Sequence, residues 1–230
     1  MIFELNQVLT GAEVAEINAA LEGQTFVDGR ETALNEASLV KHNIQIPADS
    51  ELRETLSARI EKILLANAMF TTLVLPKRIG PFHFSRYEVG MTYGDHVDNS
   101  VMGIGVGNPM RADLSMSLFL NDPEDYDGGD LVLNSRLAPR SLKLSAGDAI
   151  VYPTDEFHRV EPVTRGVRKV AITWMQSLVR GAHRRRILTD IWTAMDGISK
   201  VTAPERLHEN EAFRTLSKSH WSLLRLWAET

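Results

Sequence analysis

The sequence predicts an α+β chain in which short antiparallel strands close into a sandwich or barrel, with helices before and after them. Three observations carry that reading. Apolar residues recur at helical spacing near the start, as in Val14, Ile17 and Leu21. From Phe82 to Leu178 they alternate, or run in short stretches between Gly-containing turns. After Val179 the helical spacing returns. Strands separated by turns this short leave no room for βαβ units.

The elements follow in order. Thr10-Gly11-Ala12-Glu13 fits a capping box, so a helix starts there. A second helix follows Pro47, with Leu52, Leu56, Ile60, Ile63 and Leu64 on one stripe. Residues 38–46 between them alternate loosely and are expected to form a strand. Residues 82–87 alternate clearly. In 114–120, Leu114, Met116, Leu118 and Leu120 share one face. Asp127-Gly128-Gly129-Asp130 is a turn ahead of Leu131-Val132-Leu133, and Ser145-Ala146-Gly147-Asp148 is another between residues 142–144 and 149–152. Residues 167–178 form a last strand. Helices carrying Ile187, Leu188, Ile191, Trp192 and Met195, then Trp221, Leu224 and Trp227, complete the chain. Three regions are expected: a helical and strand support over 1–80, a core over 81–180, and a helical appendage over 181–230.

Composition narrows the function. A chain of 230 residues that is 43% hydrophobic can bury a proper core. A net charge of -5 argues against nucleic acid as the main partner. There is no cysteine, so disulfides, thiolate metal sites and cysteine nucleophiles are excluded. No apolar run approaches the ~20 residues that span a bilayer, and the N-terminus has no signal-peptide pattern. The expectation is a soluble cytoplasmic protein without membrane or nucleic-acid partners.

The chemistry centres on His96-Val97-Asp98 and His158. Alternate residues of a strand share a face, so His96 and Asp98 would point the same way. A second imidazole from another strand completes a 2-His-1-carboxylate set, which leaves open positions on iron(II). The alternative is a polar pair on an exposed strand and an ordinary structural histidine. Protons compete with metal for imidazole, so iron binding by this set is expected to weaken toward the ordinary histidine pKa of about 6.5.

Arg168 is the second half of the pattern. Iron(II) with three protein ligands can accept a bidentate 2-oxo acid, whose far carboxylate then needs a fixed cation. A guanidinium meets a carboxylate through two parallel hydrogen bonds. Arg168, Val170, Ile172 and Trp174 share a strand face that reads as inward, and an arginine there wants an anionic partner. The alternative is a surface arginine beside Arg165 and Lys169. Two other function classes stay open at this level: an oxygenase that uses no 2-oxo acid, and a non-catalytic metal or ligand sensor.

These residues sit in stretches that resemble the iron(II)/2-oxoglutarate-dependent dioxygenases of the prolyl-4-hydroxylase type, and in particular the bacterial PKHD-type hydroxylases. The matching stretches are 86–99, which holds Tyr93-Gly94-Asp95-His96-Val97-Asp98, and then 113–120, 126–131, 144–148 and 168–177. The resemblance implies a double-stranded β-helix (jelly-roll) core with flanking helices. It implies His96, Asp98 and His158 as iron ligands and Arg168 as the 2-oxoglutarate anchor. Tyr87 would hydrogen-bond the same carboxylate. The implied reaction hydroxylates a peptidyl or small-molecule substrate with Fe(2+), 2-oxoglutarate and O2, releasing succinate and CO2, with L-ascorbate as reductant.

Other features receive plainer readings. Tyr93 faces either substrate or core, and Asn99 stays unassigned. The glycine-rich stretch 103–109 lacks the strand-loop-helix context of a nucleotide loop and reads as a connector or lid. Arg184-Arg185-Arg186 reads as a solvated helix start, and Trp221, Leu224 and Trp227 as packing onto the barrel.

Overall fold

A computed structural model describes residues 2–33, 36–104, 107–134 and 138–230. Two antiparallel sheets lie face to face. The larger has the spatial order Phe3–Leu5, Ala149–Pro153, Leu114–Phe119, Arg168–Ser177, His83–Tyr87, Ile44–Gln45, Val27–Asp28, with Pro76–Ile79 also pairing with Arg168–Ser177. The smaller has the order Pro139–Leu142, Leu131–Asn134, His158–Val160, Thr92–His96, Lys41–His42. The order is far from the chain order, so the connections cross from sheet to sheet, as in a jelly roll.

The space between the sheets is filled from both sides. Tyr87, Phe119, Ile150, Tyr152 and Val170 of the larger sheet meet Leu131, Leu133, Leu142 and Val160 of the smaller. The outer face of the larger sheet is covered as well. Leu114, Met116, Leu118, Ala149, Val151, Ala171 and Met175 pack against Val14, Ile17, Leu56, Ile60 and Leu64 of the N-terminal helices. Those helices run over Gly11–Leu21 and Glu51–Ala66. The first is capped as its sequence requires: Glu13 N–H donates to Thr10 Oγ1 at 3.3 Å, and Thr10 N–H donates back to the Glu13 carboxylate at 2.8 Å.

The apolar residues expected to share one face in 114–120 do so, and double burial sets which way that face points. Every residue of the strand Leu114–Phe119 is buried. Its apolar face turns outward to the helices, while Ser115 and Ser117 face the space between the sheets. The expected strand over 38–46 is not one strand. A short helix Glu36–Leu39 leads to Lys41–His42 in the smaller sheet, and Ile44–Gln45 then joins the larger one. The chain changes sheets at Asn43, so neither half is long enough to alternate clearly.

The C-terminal helices Ala182–Val201 and Glu211–Trp227 pack beside Leu75 and Val179 through Leu188, Leu223, Leu224 and Trp227. Trp221 does not pack onto the barrel; it is 59% exposed. Arg185 is not solvated either. It is buried and donates to the carbonyls of Val179 and Arg180, both at 2.8 Å, which ties the helix start to the last strand. Among the described residues no helix is long and apolar enough to cross a membrane. Within 103–109, Gly105 and Val106 lie outside the described residues; Val101–Met102 and Met110–Arg111 on either side pair as a two-stranded ribbon.

Candidate active site

His96 ends the strand Thr92–His96 and His158 begins His158–Val160; the two residues are direct cross-strand partners. Their rings stand 4.2 Å apart, centroid to centroid. The regular strand stops at His96, so Asp98 is not in a ladder. Its backbone stays extended and its N–H donates to Thr154 O at 3.3 Å, which keeps the alternation: His96 in, Val97 out, Asp98 in. One donor atom from each of His96, Asp98 and His158 falls within 4.8 Å of the others.

The surroundings orient these donors. Nδ1 of His96 lies 2.8 Å from Gly94 O, and Nδ1 of His158 lies 3.0 Å from Glu156 O. A carbonyl only accepts, so both Nδ1 atoms carry the proton and both Nε2 lone pairs are left for a metal. Tyr93 stacks on the His96 ring at 3.6 Å and 15°, which fixes its plane. Ser115 Oγ donates to Asp98 Oδ2 at 2.5 Å. Burial, reinforced by the neighbouring His158, holds His96 well below the ordinary histidine range, against the opposing pull of the Gly94 carbonyl and Asp98. Two imidazole Nε2 atoms and one carboxylate suit a divalent cation that must keep open positions.

Arg168 stands on the inner face of the larger sheet, directly opposite Tyr87. It is 1% exposed, yet Nε and Nη1 have no hydrogen-bond partner among the described residues. Its guanidinium carbon lies 5.1 Å from the Tyr87 ring centroid and 5.6 Å from that of Phe119. The hydroxyl of Tyr87 is likewise buried without a partner, and that of Tyr126 is buried against the guanidinium. Burial raises the pKa of both phenols and the Arg168 charge opposes it, so both neighbour the guanidinium. A buried cation and orphaned donors make a cradle for an anion. The other two cations weighed for this role lie elsewhere. Arg165 is exposed and paired with Asp127 at 2.7 Å, and Lys169 sits on the opposite face of the strand.

Sequence reasoning missed Ser115, Tyr126 and Lys41. Ser115 leaves a faint signal, a serine in the polar phase of an otherwise apolar strand. Tyr126 follows an irregular turn and carries no periodicity. Lys41 falls in the segment that changes sheets.

The jelly roll thus brings a His-Asp-His cluster that could hold a metal ion and a buried arginine to the space between its two sheets. Comparison with known proteins gives the class. Residues 82–176 match the 2OG-Fe(II) oxygenase superfamily. Over their full lengths, the chain is 44% identical to a PKHD-type hydroxylase of Gloeothece citriformis and 42% identical to one of Caulobacter vibrioides. The chain belongs to the PKHD-type hydroxylases, a family of Fe(II)- and 2-oxoglutarate-dependent dioxygenases. Among solved structures, a Pseudomonas putida prolyl-4-hydroxylase superposes with a TM-score of 0.54 at 19% identity, covering 76% of this chain and 92% of that one. A Trichoplax adhaerens prolyl hydroxylase, solved with a hypoxia inducible factor peptide fragment, gives 0.55 at 15% identity, covering 81% and 86%. These two likenesses concern the fold.

Proposed function

We propose that His96, Asp98 and His158 hold the Fe(2+), and that Arg168 with Tyr87 holds the far carboxylate of 2-oxoglutarate. The observation that carries this is Arg168: a fully buried guanidinium with unpartnered N–H groups, on the sheet facing the His-Asp-His cluster. An oxygenase without a 2-oxo acid has no use for that cation, and the complete His-Asp-His set argues against a non-catalytic metal or ligand sensor. When bound, the iron supplies the oxygen activation that couples decarboxylation of 2-oxoglutarate to hydroxylation of the substrate.

The chain's own residues bind, orient and exclude water. The two Nδ1–H groups anchored on backbone carbonyls aim Nε2 at the metal. Ser115 donates to Asp98 Oδ2, the oxygen that lies 3.8 Å from His158 Nε2, and so orients the carboxylate toward the imidazoles. Phe119, Tyr87 and Val170 wall the Arg168 cradle with apolar surface, so a carboxylate pair there is little screened by solvent. The division into 1–80, 81–180 and 181–230 belongs to the same proposal, with the outer regions supporting the core. So do L-ascorbate as reductant, which rests on the family resemblance, and a cytoplasmic setting, which rests on the cysteine-free composition.

The substrate is a small molecule or a peptidyl side chain. The test is succinate formation from 2-oxoglutarate by the iron(II)-loaded protein, with metal content per chain measured alongside. Turnover that needs iron and vanishes in Arg168→Ala supports the assignment. Turnover that survives in Asp98→Ala overturns it.

A further inference from the structure

Lys41 is a cation that the iron and 2-oxoglutarate machinery does not use. It lies on the outer strand of the smaller sheet, directly opposite Tyr93, whose ring stacks on His96. Its Nζ stands 5.3 Å from the Tyr93 ring centroid and donates to Thr32 Oγ1 at 3.1 Å. Among the described residues no carboxylate comes within ion-pairing distance of it; Asp98 and Asp28 act on it only from farther away. The single hydroxyl proton of Thr32 is shared between Gln45 Oε1 and Gly29 O, each at 3.1 Å, so the hydroxyl presents only an acceptor to the ammonium.

Around Lys41 the surface opens into a groove of about 540 Å³, lined among others by Arg30, Val40, His42, Thr92 and Gly94. That volume suits a small ligand or a short peptide segment. The groove keeps its depth at Gly94, where a Cβ would stand 2.8 Å from Val40 Cβ. Arg30 is held by Asp28, which leaves Lys41 as the lysine or arginine of this lining without an acid.

We propose that Lys41 binds a carboxylate of the substrate and so selects anionic substrates for this centre. The inference rests on the oxygenase reading and deepens it. A partly buried ammonium with one neutral partner is an incomplete site, and an anion completes it. Burial lowers the Lys41 pKa to about 8, with Asp98 opposing, so the group is still charged at neutral pH. Its strand places it one aromatic ring away from a metal ligand. An acid group held there sets the rest of the substrate beside the open face of the cluster. Lys41 acts by positioning and takes no part in the chemical step.

The test uses the iron(II)- and 2-oxoglutarate-loaded protein under anaerobic conditions. Calorimetry compares probes that differ only in charge: benzoate with benzamide, and a short peptide carrying a free C-terminal carboxylate with its amide. The metal-chelate absorbance is read first, since its absence sinks the oxygenase reading before Lys41 is questioned. The expected result is that at least one acid binds tenfold or more tighter than its amide. Which pair responds tells a small-molecule acid from a peptide one. The preference should vanish in Lys41→Met, survive in Lys41→Arg, and leave the chelate absorbance of Lys41→Met as in the parent. Equal binding of acid and amide in both pairs overturns the proposal, as does a charge preference that persists in Lys41→Met. Loss of the chelate in Lys41→Met also overturns it, because Lys41 would then serve the metal centre itself.

Discussion

Tyr87 and Arg168 occupy one rung of two adjacent antiparallel strands, with the guanidinium carbon 5.1 Å from the ring centroid. Both bring buried hydrogen-bonding atoms to that rung, and the Tyr87 hydroxyl and Arg168 Nε and Nη1 find no partner among the described residues. A folded chain tolerates such atoms where a ligand satisfies them. The rung therefore costs stability in the free protein and returns it on binding.

Tyr87→Phe tests this directly, because two measurements should move in opposite directions. The free protein should unfold at the same temperature or higher, since an unpartnered hydroxyl is removed from a buried place. Affinity for 2-oxoglutarate should fall by about 1.5–3 kcal/mol, the scale of a hydrogen bond to a charged group. A variant that is clearly less stable and binds 2-oxoglutarate normally would mean that the hydroxyl serves the fold.

Arg168→Ala should retain iron and lose 2-oxoglutarate. Removing one partner of a buried charge pair costs about 2–5 kcal/mol, roughly thirty-fold to several-thousand-fold in affinity. Arg168→Lys should recover only part, since an ammonium lacks the planar fork. Titration of the anaerobic iron(II) protein, followed by chelate absorbance, reads both. Neither Arg165, tied to Asp127 on the surface, nor Lys169, on the far side of the sheet, is placed to rescue the loss. Unchanged affinity in Arg168→Ala would remove Arg168 as the anchor.

Gly129 makes room for the Arg168 side chain. At φ +66 it is in the left-handed region, and a Cβ there would stand 3.0 Å from Val163, 3.1 Å from the Tyr126 ring and 3.2 Å from Arg168 Cδ. Gly129→Ala should weaken 2-oxoglutarate binding together with thermal stability, by about 1–3 kcal/mol in the latter. A variant with parental melting temperature and parental affinity would show that the turn adapts.

How far the sequence reached follows from what kind of pattern each feature leaves. The capped first helix and the strand around Arg168 were readable because their cause is local: a Thr–Glu pair three residues apart, and a period of two. The His-Asp-His set was readable through its chemistry, although the parity argument assumed a strand that ends at His96. Beyond that end, Asp98 keeps its direction through its N–H bond to Thr154 O and through Ser115 Oγ on its carboxylate. Ser115 was not readable, because its role depends on a larger sheet buried on both faces. That inverts the usual meaning of an apolar stripe. Lys41 was hidden for a related reason: two residues per sheet, on either side of Asn43, are too few to show a period.

Ser115→Ala should lower iron affinity by about ten- to a hundred-fold, the usual cost of removing a hydrogen bond that orients a metal ligand. The metal-free protein should also lose about 1–3 kcal/mol of stability, because the buried Asp98 carboxylate loses its donor. Competition with a chelator of known strength gives the affinity. A variant with parental iron affinity would show that Asp98 holds its orientation through the backbone alone.

The metal-free protein should lose stability as pH falls below about 6.5, before its carboxylates begin to titrate. Burial holds His83 down at about 3, with Arg53 and Lys41 adding to the effect, and Arg53 Nη2 stands 3.2 Å from His83 Nε2, where it donates to the neutral ring. His96 is lowered in the same direction. In the unfolded chain both histidines take up protons near 6.5. Below that value the unfolded state binds more protons than the folded one, so unfolding free energy falls with falling pH, at up to about 1.4 kcal/mol per pH unit for each histidine. The loss continues down to the folded-state values. The same burial moves His96's share of proton competition with iron below 6.5, lower than its ordinary pKa would place it. Denaturant unfolding of the metal-free protein at pH 7, 6 and 5 gives the slope, and His83→Gln should reduce it by about half. A stability that is flat between pH 7 and 5, or a slope unaltered in His83→Gln, would show that these rings are not held neutral by burial.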